Sequence, residues 1–190
     1  MAYLMGIDIG GTVAKAAIYD MEGREVAVHG EKLNVTCPGH GMTERDMYEV
    51  RDMSLLAIKR AIEKSGIKDP KEILAVGMTG QGNGAYFVDA DGEPTWGGIL
   101  SSDARAKDYL KRWTSDGTFD AIFPKIRKLL WTGQTSLIVA WFADNHPEVL
   151  EKTKYVGSVK DYVRYLLTGV FCCEITEASS WNVVDMNTAA

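Results

Sequence analysis

Asp8, Gly10, Gly11, Thr12 and Lys15 fall within the single stretch Asp8-Ile9-Gly10-Gly11-Thr12-Val13-Ala14-Lys15, at the end of the apolar run 4–9. Glycine has no Cβ, so the backbone N–H groups around Gly10 and Gly11 can approach an anion closely. Thr12 adds a hydroxyl and Lys15 a cation. Asp8, where the apolar run closes, is placed to orient a hydrated divalent metal. Phosphate groups with a metal ion are the economical chemistry for this set. A plain hairpin turn uses the same two glycines, and residue types alone leave that reading open.

A second polar set lies in Gly77-Met78-Thr79-Gly80-Gln81-Gly82-Asn83-Gly84-Ala85. Its glycines let the backbone bend and leave Gln81 and Asn83 as polar handles on either side of Gly82. Side-chain amides donate and accept together, which suits sugar hydroxyls. The plainer alternative is a glycine-rich turn with solvated amides. A third set, Ile99-Leu100-Ser101-Ser102-Asp103-Ala104-Arg105, offers Asp103 as the N-cap of a following helix, as an acceptor for a polyol, or as both.

These sets need elements to hold them. Residues 13–20 mix β-branched and aromatic residues with alanine, a turn signal follows at 20–23, and Arg24-Glu25-Val26-Ala27-Val28 alternates like a strand. The pattern predicts a strand meander over residues 3–30. It is not the strand-to-helix turn of a dinucleotide fingerprint or a P-loop, and neither G-x-G-x-x-G nor G-K-[ST] is present. A helix is expected from Asp46, with Glu49 completing a capping box, Val50, Met53, Ala57 and Ala61 as a core stripe, and Gly66 as its end. Residues 73–78 read as a buried strand and 85–88 as another. Helices are expected over 103–113, in short pieces within 119–131, over 135–145 up to Pro147, and from a Ser158 cap to Leu167 before Gly169. Residues 154–157 read as a short strand. The run 170–173 looks strand-like, with Cys172 and Cys173 as packing residues, and 174–190 is expected to be mostly irregular.

The 190 residues fit one domain with a real core. A net charge of −5 without a basic cluster argues against nucleic acid. No apolar run is long enough to span a bilayer, and the N-terminus lacks the basic and cleavage features of a signal peptide. The three cysteines, two of them adjacent, give neither a disulfide framework nor a zinc spacing, so a reduced, cytoplasmic setting is expected. His29, His40 and His146 are scattered and read as surface or loop residues. The tryptophans read as packing residues, with Trp96 and Trp131 the two to inspect near a pocket.

Taken in order, the three polar sets resemble the N-terminal part of the FGGY family of carbohydrate kinases. The opening is similar to that family's first phosphate motif, and Met42-Thr43-Glu44-Arg45-Asp46 resembles its tryptophan-x-glutamate-x-aspartate segment. Gly80-Gln81-Gly82-Asn83-Gly84 stands where the family has its sugar-loop glutamine. Val88 to Pro94 fits the turn after it, and Ile99 to Arg105 fits the isoleucine-x-tryptophan-x-aspartate-x-arginine block. Lys160-Asp161-Tyr162, Leu167-Thr168-Gly169 and Glu177-Ala178-Ser179 are similar to later landmarks. The likeness covers nearly all 190 residues. Two departures stand out. Ser101 replaces the tryptophan of the sugar block, and Gly82-Asn83 replaces the pair expected after the glutamine, which predicts a wider, more polar pocket. Together with Leu130-Trp131-Thr132-Gly133, these residues look most like the L-xylulose kinase branch, with erythritol or another linear polyol or ketose open.

The resemblance implies an α/β, actin-like ATPase (ribonuclease H-like) domain, with a mixed sheet, an antiparallel hairpin at the N-terminus and flanking helices. It implies ATP and Mg²⁺ as cofactors. Asp8, Gly10, Gly11, Thr12 and Lys15 would face the phosphates, Asp8 would touch the metal through water, and Gln81, Gly82, Asn83 and Asp103 would face a small sugar or polyol. A homodimer is a possible assembly. The family's catalytic aspartate and second domain are expected beyond Ala190, so residues 1–190 read as an incomplete kinase, inactive alone; Asp185 lacks the glycine-flanked context of that aspartate. Two alternatives remain. One is a hexokinase-type or repressor-related sugar kinase, whose later asparagine-aspartate motif is not found. The other is a non-catalytic sugar-binding or assembly module.

Overall fold

The computed structural model describes residues 1–188. Strands β1 (Tyr3–Ile9), β2 (Val13–Asp20) and β3 (Glu25–Lys32) form the expected antiparallel meander. Strand β5 (Ile73–Gly80) returns parallel to β1, so the sheet runs β3-β2-β1-β5. Between β3 and β5 the chain passes through a two-residue strand, β4 (Glu44–Arg45), and the long helix α1 (Met47–Ser65). Successive strand side chains point to opposite faces. Met5, Ile7 and Ile9 of β1 and Ala14, Ala16 and Ile18 of β2 are therefore buried together, in one core with Val50, Ala57 and Ala61 of α1. Gly6, Asp8, Lys15 and Ala17 are left for the other side of the sheet.

A second core lies beyond the first. Strand β6 (Tyr86–Val88) pairs with β8 (Tyr155–Gly157), and β4 pairs with β7 (Gly98–Ile99). Alternation along β6 feeds both cores, because Tyr86 and Val88 join the first and Phe87 the second. Phe87 lies 4.7 Å from Phe142 of helix α4 (Thr135–Asn145), and Trp96 meets Phe142 edge-on at 5.4 Å. Aromatic pairs of this kind add about 0.5–1.5 kcal/mol beyond their buried area. Helices α2 (Lys107–Ser115) and α3 (Thr118–Ile126) flank this half, and α6 (Val159–Thr168) packs against β1, β5 and α1.

Several local expectations change. Asp46 does cap α1, accepting from the Tyr48 N–H at 2.8 Å, but Glu49 does not close a capping box. Its carboxylate takes the Asn34 N–H and side-chain amide instead, pinning the loop after β3. Within residues 1–188, β5 stands at the margin of the sheet, with Leu74 64% and Val76 50% exposed. An apolar run cannot by itself say whether a strand is central or marginal. Helix α2 starts at Lys107, not Asp103; Asp103 instead takes the Arg105 N–H in the turn that precedes the helix. Pro147 does not only end α4; it opens a further short helix, α5 (Pro147–Lys152), at a position where its missing N–H costs nothing. Residues 170–173 form no strand and Cys172 is exposed. The tail holds one more helical segment, α7 (Ile175–Ser180), whose first N–H groups are capped by Glu174; positions 189 and 190 of that expectation lie outside the described residues.

Candidate active site

Parallel strands end side by side, and ligands of α/β sheets sit beyond such carboxyl ends. Here Ile9 of β1 is in register with Gly80 of β5, so the turn Gly10–Thr12 and the loop 81–84 leave from the same edge of the sheet. The Gln81 N–H donates to the Ile9 carbonyl at 2.9 Å, and a Cβ at Gly80 would meet that same oxygen at 2.9 Å. Only glycine allows this approach. The Gly10 N–H closes the hairpin on the Val13 carbonyl at 2.9 Å. Among the described residues, no hydrogen bond uses the N–H groups of Gly11 or Thr12. Those donors are unengaged where the sequence reading expects an anion cradle.

Asp8 faces Lys15 across the antiparallel pair and Thr79 across the parallel one. All three line a groove of about 460 Å³ on the sheet face away from α1. Lys15 and Thr12 are exposed and Asp8 is half-buried. A half-buried carboxylate beside Thr79 could hold Mg²⁺ through water, because that ion keeps much of its water shell and takes few protein ligands.

The second loop is built more firmly. Gln81 donates from Nε2 to Ser101 Oγ at 2.6 Å and accepts at Oε1 from Arg45 Nη2 at 2.7 Å. Arg45 also donates from Nη1 to the Gly10 carbonyl at 3.0 Å, so one buried guanidinium touches both loops. Asn83 is held in the left-handed region (φ 58°) with its N–H on Glu177 Oε1 at 2.8 Å, and its Oδ1 is buried without a partner. Gly84 follows at φ 74°, where a Cβ would lie 2.2 Å from the Ile99 carbonyl. Its N–H donates to the Gly133 carbonyl, and its own carbonyl accepts from Thr135 Oγ1 at 2.6 Å. Gly133 in turn lies against Ser101, with room for no side chain. Gly82 sits over Glu177, 3.3 Å from a would-be Cβ to Oε1.

Charge beneath the loop is paired. Glu177 Oε2 accepts from Lys160 Nζ at 2.6 Å, and Lys160 also reaches Glu174 at 3.0 Å. Burial works against the Lys160 charge, but the hydrogen bonds it donates to its two carboxylates outweigh it and raise its pKa. A hydrogen bond from the Thr176 hydroxyl, joined by the Lys160 ammonium and two backbone N–H groups, holds Glu174 down at about 2. Arg105 follows the same logic, with burial opposed by Asp103 and Glu44 and a raised pKa overall.

A model of the FGGY family of carbohydrate kinases, N-terminal domain, matches residues 3–190. The chain belongs to the FGGY family. This FGGY domain is 35% identical over 185 residues to the L-xylulose/3-keto-L-gulonate kinase of Escherichia coli, a match that spans 97% of this chain and 37% of the relative. It is also 35% identical to a probable L-xylulose kinase of Pasteurella multocida (98% and 38%). The chain thus spans well under half the length of these curated relatives. Among solved structures, a gluconate kinase from Lactobacillus acidophilus superposes with a TM-score of 0.92 at 22% identity, over 100% of this chain and 38% of that one. A xylulose kinase from Rhodospirillum rubrum gives 0.89 at 20%, over 98% and 38%. These likenesses show the actin-like ATPase fold. Membership sets aside the hexokinase-type alternative.

Within the FGGY fold, Asp8, Gly10, Gly11, Thr12 and Lys15 do gather at one strand end, and Gln81, Gly82 and Asn83 stand beside them. Asp103 does not join them as an open acceptor. It is 0% exposed, and both oxygens are taken: Oδ1 by the Arg105 N–H and Nε, Oδ2 by the Thr43 N–H and Arg105 Nη2. So enclosed, the carboxylate braces the loop through Thr43 and Arg105. Trp96 donates from Nε1 to Glu44, which also holds Arg105, so it belongs to the same brace. Trp131 is 43% exposed in the segment leading to Gly133. The residues that sequence reasoning did not single out are Arg45 and Glu177. Arg45 lay inside the quoted Glu44-Arg45-Asp46 segment but carried no sign of burial. Glu177 becomes intelligible only through contacts with residues far from it in sequence.

Proposed function

We propose that residues 1–190 form the N-terminal, sugar-binding domain of a kinase that transfers the γ-phosphoryl group of ATP to a hydroxyl of a small sugar. L-xylulose, or a related ketopentose or linear polyol, is the favoured substrate. The observation that carries this reading is the register of β1 and β5, which sets a hairpin with free N–H donors beside a glycine loop bearing Gln81. The names of the 35%-identical relatives support the substrate class.

Phosphoryl transfer is mostly positioning and charge neutralisation. In this reading Gly11 and Thr12 receive the transferring phosphate, and Lys15 offsets its charge. Asp8 holds the water shell of Mg²⁺, which when bound neutralises phosphate oxygens. Gln81 orients the sugar, Asn83 Oδ1 supplies a further acceptor, and Asp103 acts from behind by fixing Thr43 and Arg105. The proton of the attacking hydroxyl goes to a carboxylate that this reading places outside residues 1–190. A cytosolic setting with free thiols is part of the same proposal.

Calorimetric titration with L-xylulose tests the sugar half. Binding that is lost in Gln81→Ala supports it; absence of heat with ketopentoses and linear polyols alike contradicts it. The 190-residue polypeptide alone is expected to release no ADP above background. Positioning is worth up to ~7–11 kcal/mol in well-oriented reactions, and residues 1–190 span only 37% and 38% of the length of the two curated relatives.

A further inference from the structure

Arg45 is 1% exposed, and both of its hydrogen-bond partners, the Gly10 carbonyl and Gln81 Oε1, are uncharged. Among the described residues its Nε is buried without a partner. The acidic residues on either side of it in sequence are committed elsewhere: Glu44 to Arg105 and Trp96, Asp46 to the Tyr48 N–H. Burying a cation without a carboxylate carries a desolvation cost of several kcal/mol, and an apolar side chain of similar volume would avoid it. The charge and the forked geometry are therefore the features that need a role. A guanidinium is a rigid planar fork, so its two prongs cannot move independently.

One prong rests on the hairpin and the other on the glutamine loop. A continuous chain of hydrogen bonds results: Ser101 Oγ to Gln81, Gln81 to Arg45, Arg45 to the Gly10 carbonyl, and the Gly10 N–H to the Val13 carbonyl. We propose that Arg45 is a positioning residue that couples the two loops, so that a change in what the Gln81 amide binds resets the hairpin bearing the Gly11 and Thr12 donors. A hydroxyl-bearing ligand at Gln81 thereby prepares the phosphate cradle. In naming the loops this rests on the function proposed above. The coupling itself is measurable with no sugar or nucleotide present, so either can fail alone.

Spatial continuity does not demonstrate coupling; a double-mutant cycle does. The reporter is amide hydrogen exchange of Gly10, whose N–H closes the hairpin, referenced to the Ile7 amide in the core of β1 to remove global stability. Coupled neighbours interact strongly enough that Gln81→Ala should lower Gly10 protection by about tenfold. In the Arg45→Lys background, where an ammonium keeps the charge but cannot hold both oxygens, the same change should have less than about a twofold effect. A merely structural Arg45 would lower both amides together and leave the Gln81 effect intact. Equal loss in both backgrounds, or no loss on Gln81→Ala, overturns the proposal. If Arg45→Lys does not fold, Ser101→Ala in the otherwise unaltered protein replaces it. That change reaches the hairpin through Gln81 and should lower Gly10 protection; unchanged protection overturns the proposal.

Discussion

Glu177 accepts the backbone N–H of Asn83 at 2.8 Å, across 94 residues of sequence. The contact holds a non-glycine residue at φ 58°, a region that L residues occupy at some cost. The same carboxylate takes Lys160 Nζ and Trp181 Nε1, so one side chain from α7 carries the underside of the glutamine loop.

Truncating it should be felt throughout the domain. Glu177→Ala strands the Asn83 N–H and the Trp181 indole and leaves Lys160 with Glu174 alone; each buried donor left unpaired costs about 1–3 kcal/mol. Glu177→Gln keeps an acceptor and should lose less. Urea denaturation reads both, and a Glu177→Ala protein as stable as the parent would show that these contacts are not formed.

Two glycines with the same backbone angle should respond differently. Gly66 ends α1 at φ 74° with nothing within 4 Å of a would-be Cβ, whereas at Gly84, also φ 74°, the Ile99 carbonyl lies 2.2 Å away. Gly66→Ala should cost only the left-handed penalty, about 1–2 kcal/mol. Gly84→Ala adds overpacking worth about 1–3 kcal/mol more, because the obstacle is backbone. Thermal midpoints of the two variants should separate clearly, and coincident midpoints would contradict the packing described here.

Acid should weaken the α6–α7 junction. Glu174 is depressed to about 2, first by the Thr176 hydroxyl and then by Lys160. A lowered carboxylate contributes fully above its unfolded pKa, about 4.3, and loses that contribution as pH falls through its folded value. The window is therefore about pH 4 down to 2. Glu174→Gln should flatten this part of the stability curve relative to the parent. Parallel curves for the two proteins would rule the contribution out.

The adjacent cysteines should differ in reactivity. Burial, followed by the nearby Asp161 charge, pushes the Cys173 thiol up to about 12, while Cys37 and Cys172 are exposed. Thiolate is the reactive form. At pH 8 a disulfide reagent should modify two thiols quickly and the third only slowly until denaturant is added. Three equally fast thiols in the native protein would contradict this.

Much of this arrangement was legible from residue types. The meander over residues 3–30 could be read because period-2 alternation, a two-glycine turn and the absence of a helical pattern after Thr12 all agree. α6 could be read because Ser158 and Gly169 mark both ends. The partners of Asp103 were not legible, because an aspartate before a helix looks like a cap whether or not its carboxylate is free, and here Thr43, sixty residues away, donates to it. Glu49 was misplaced for the same reason, since Asn34 competes for it. β5 stands at the sheet margin among the described residues, although its apolar residues fit a strand buried on both faces. Arg45 and Glu177 were quoted within landmark segments but given no role, because a lone charge gives no hint of burial until its partners are in place.

The two margins of the main sheet differ as surfaces. β3 carries Glu25, Glu31 and Lys32, charges that discourage another chain from adding on. β5, Ile73-Leu74-Ala75-Val76-Gly77-Met78-Thr79-Gly80, has no charged residue to act as a gatekeeper. At high concentration this polypeptide should thus self-associate through that uncharged margin. A lysine at Leu74 or Val76 would be the direct way to keep it monodisperse in storage.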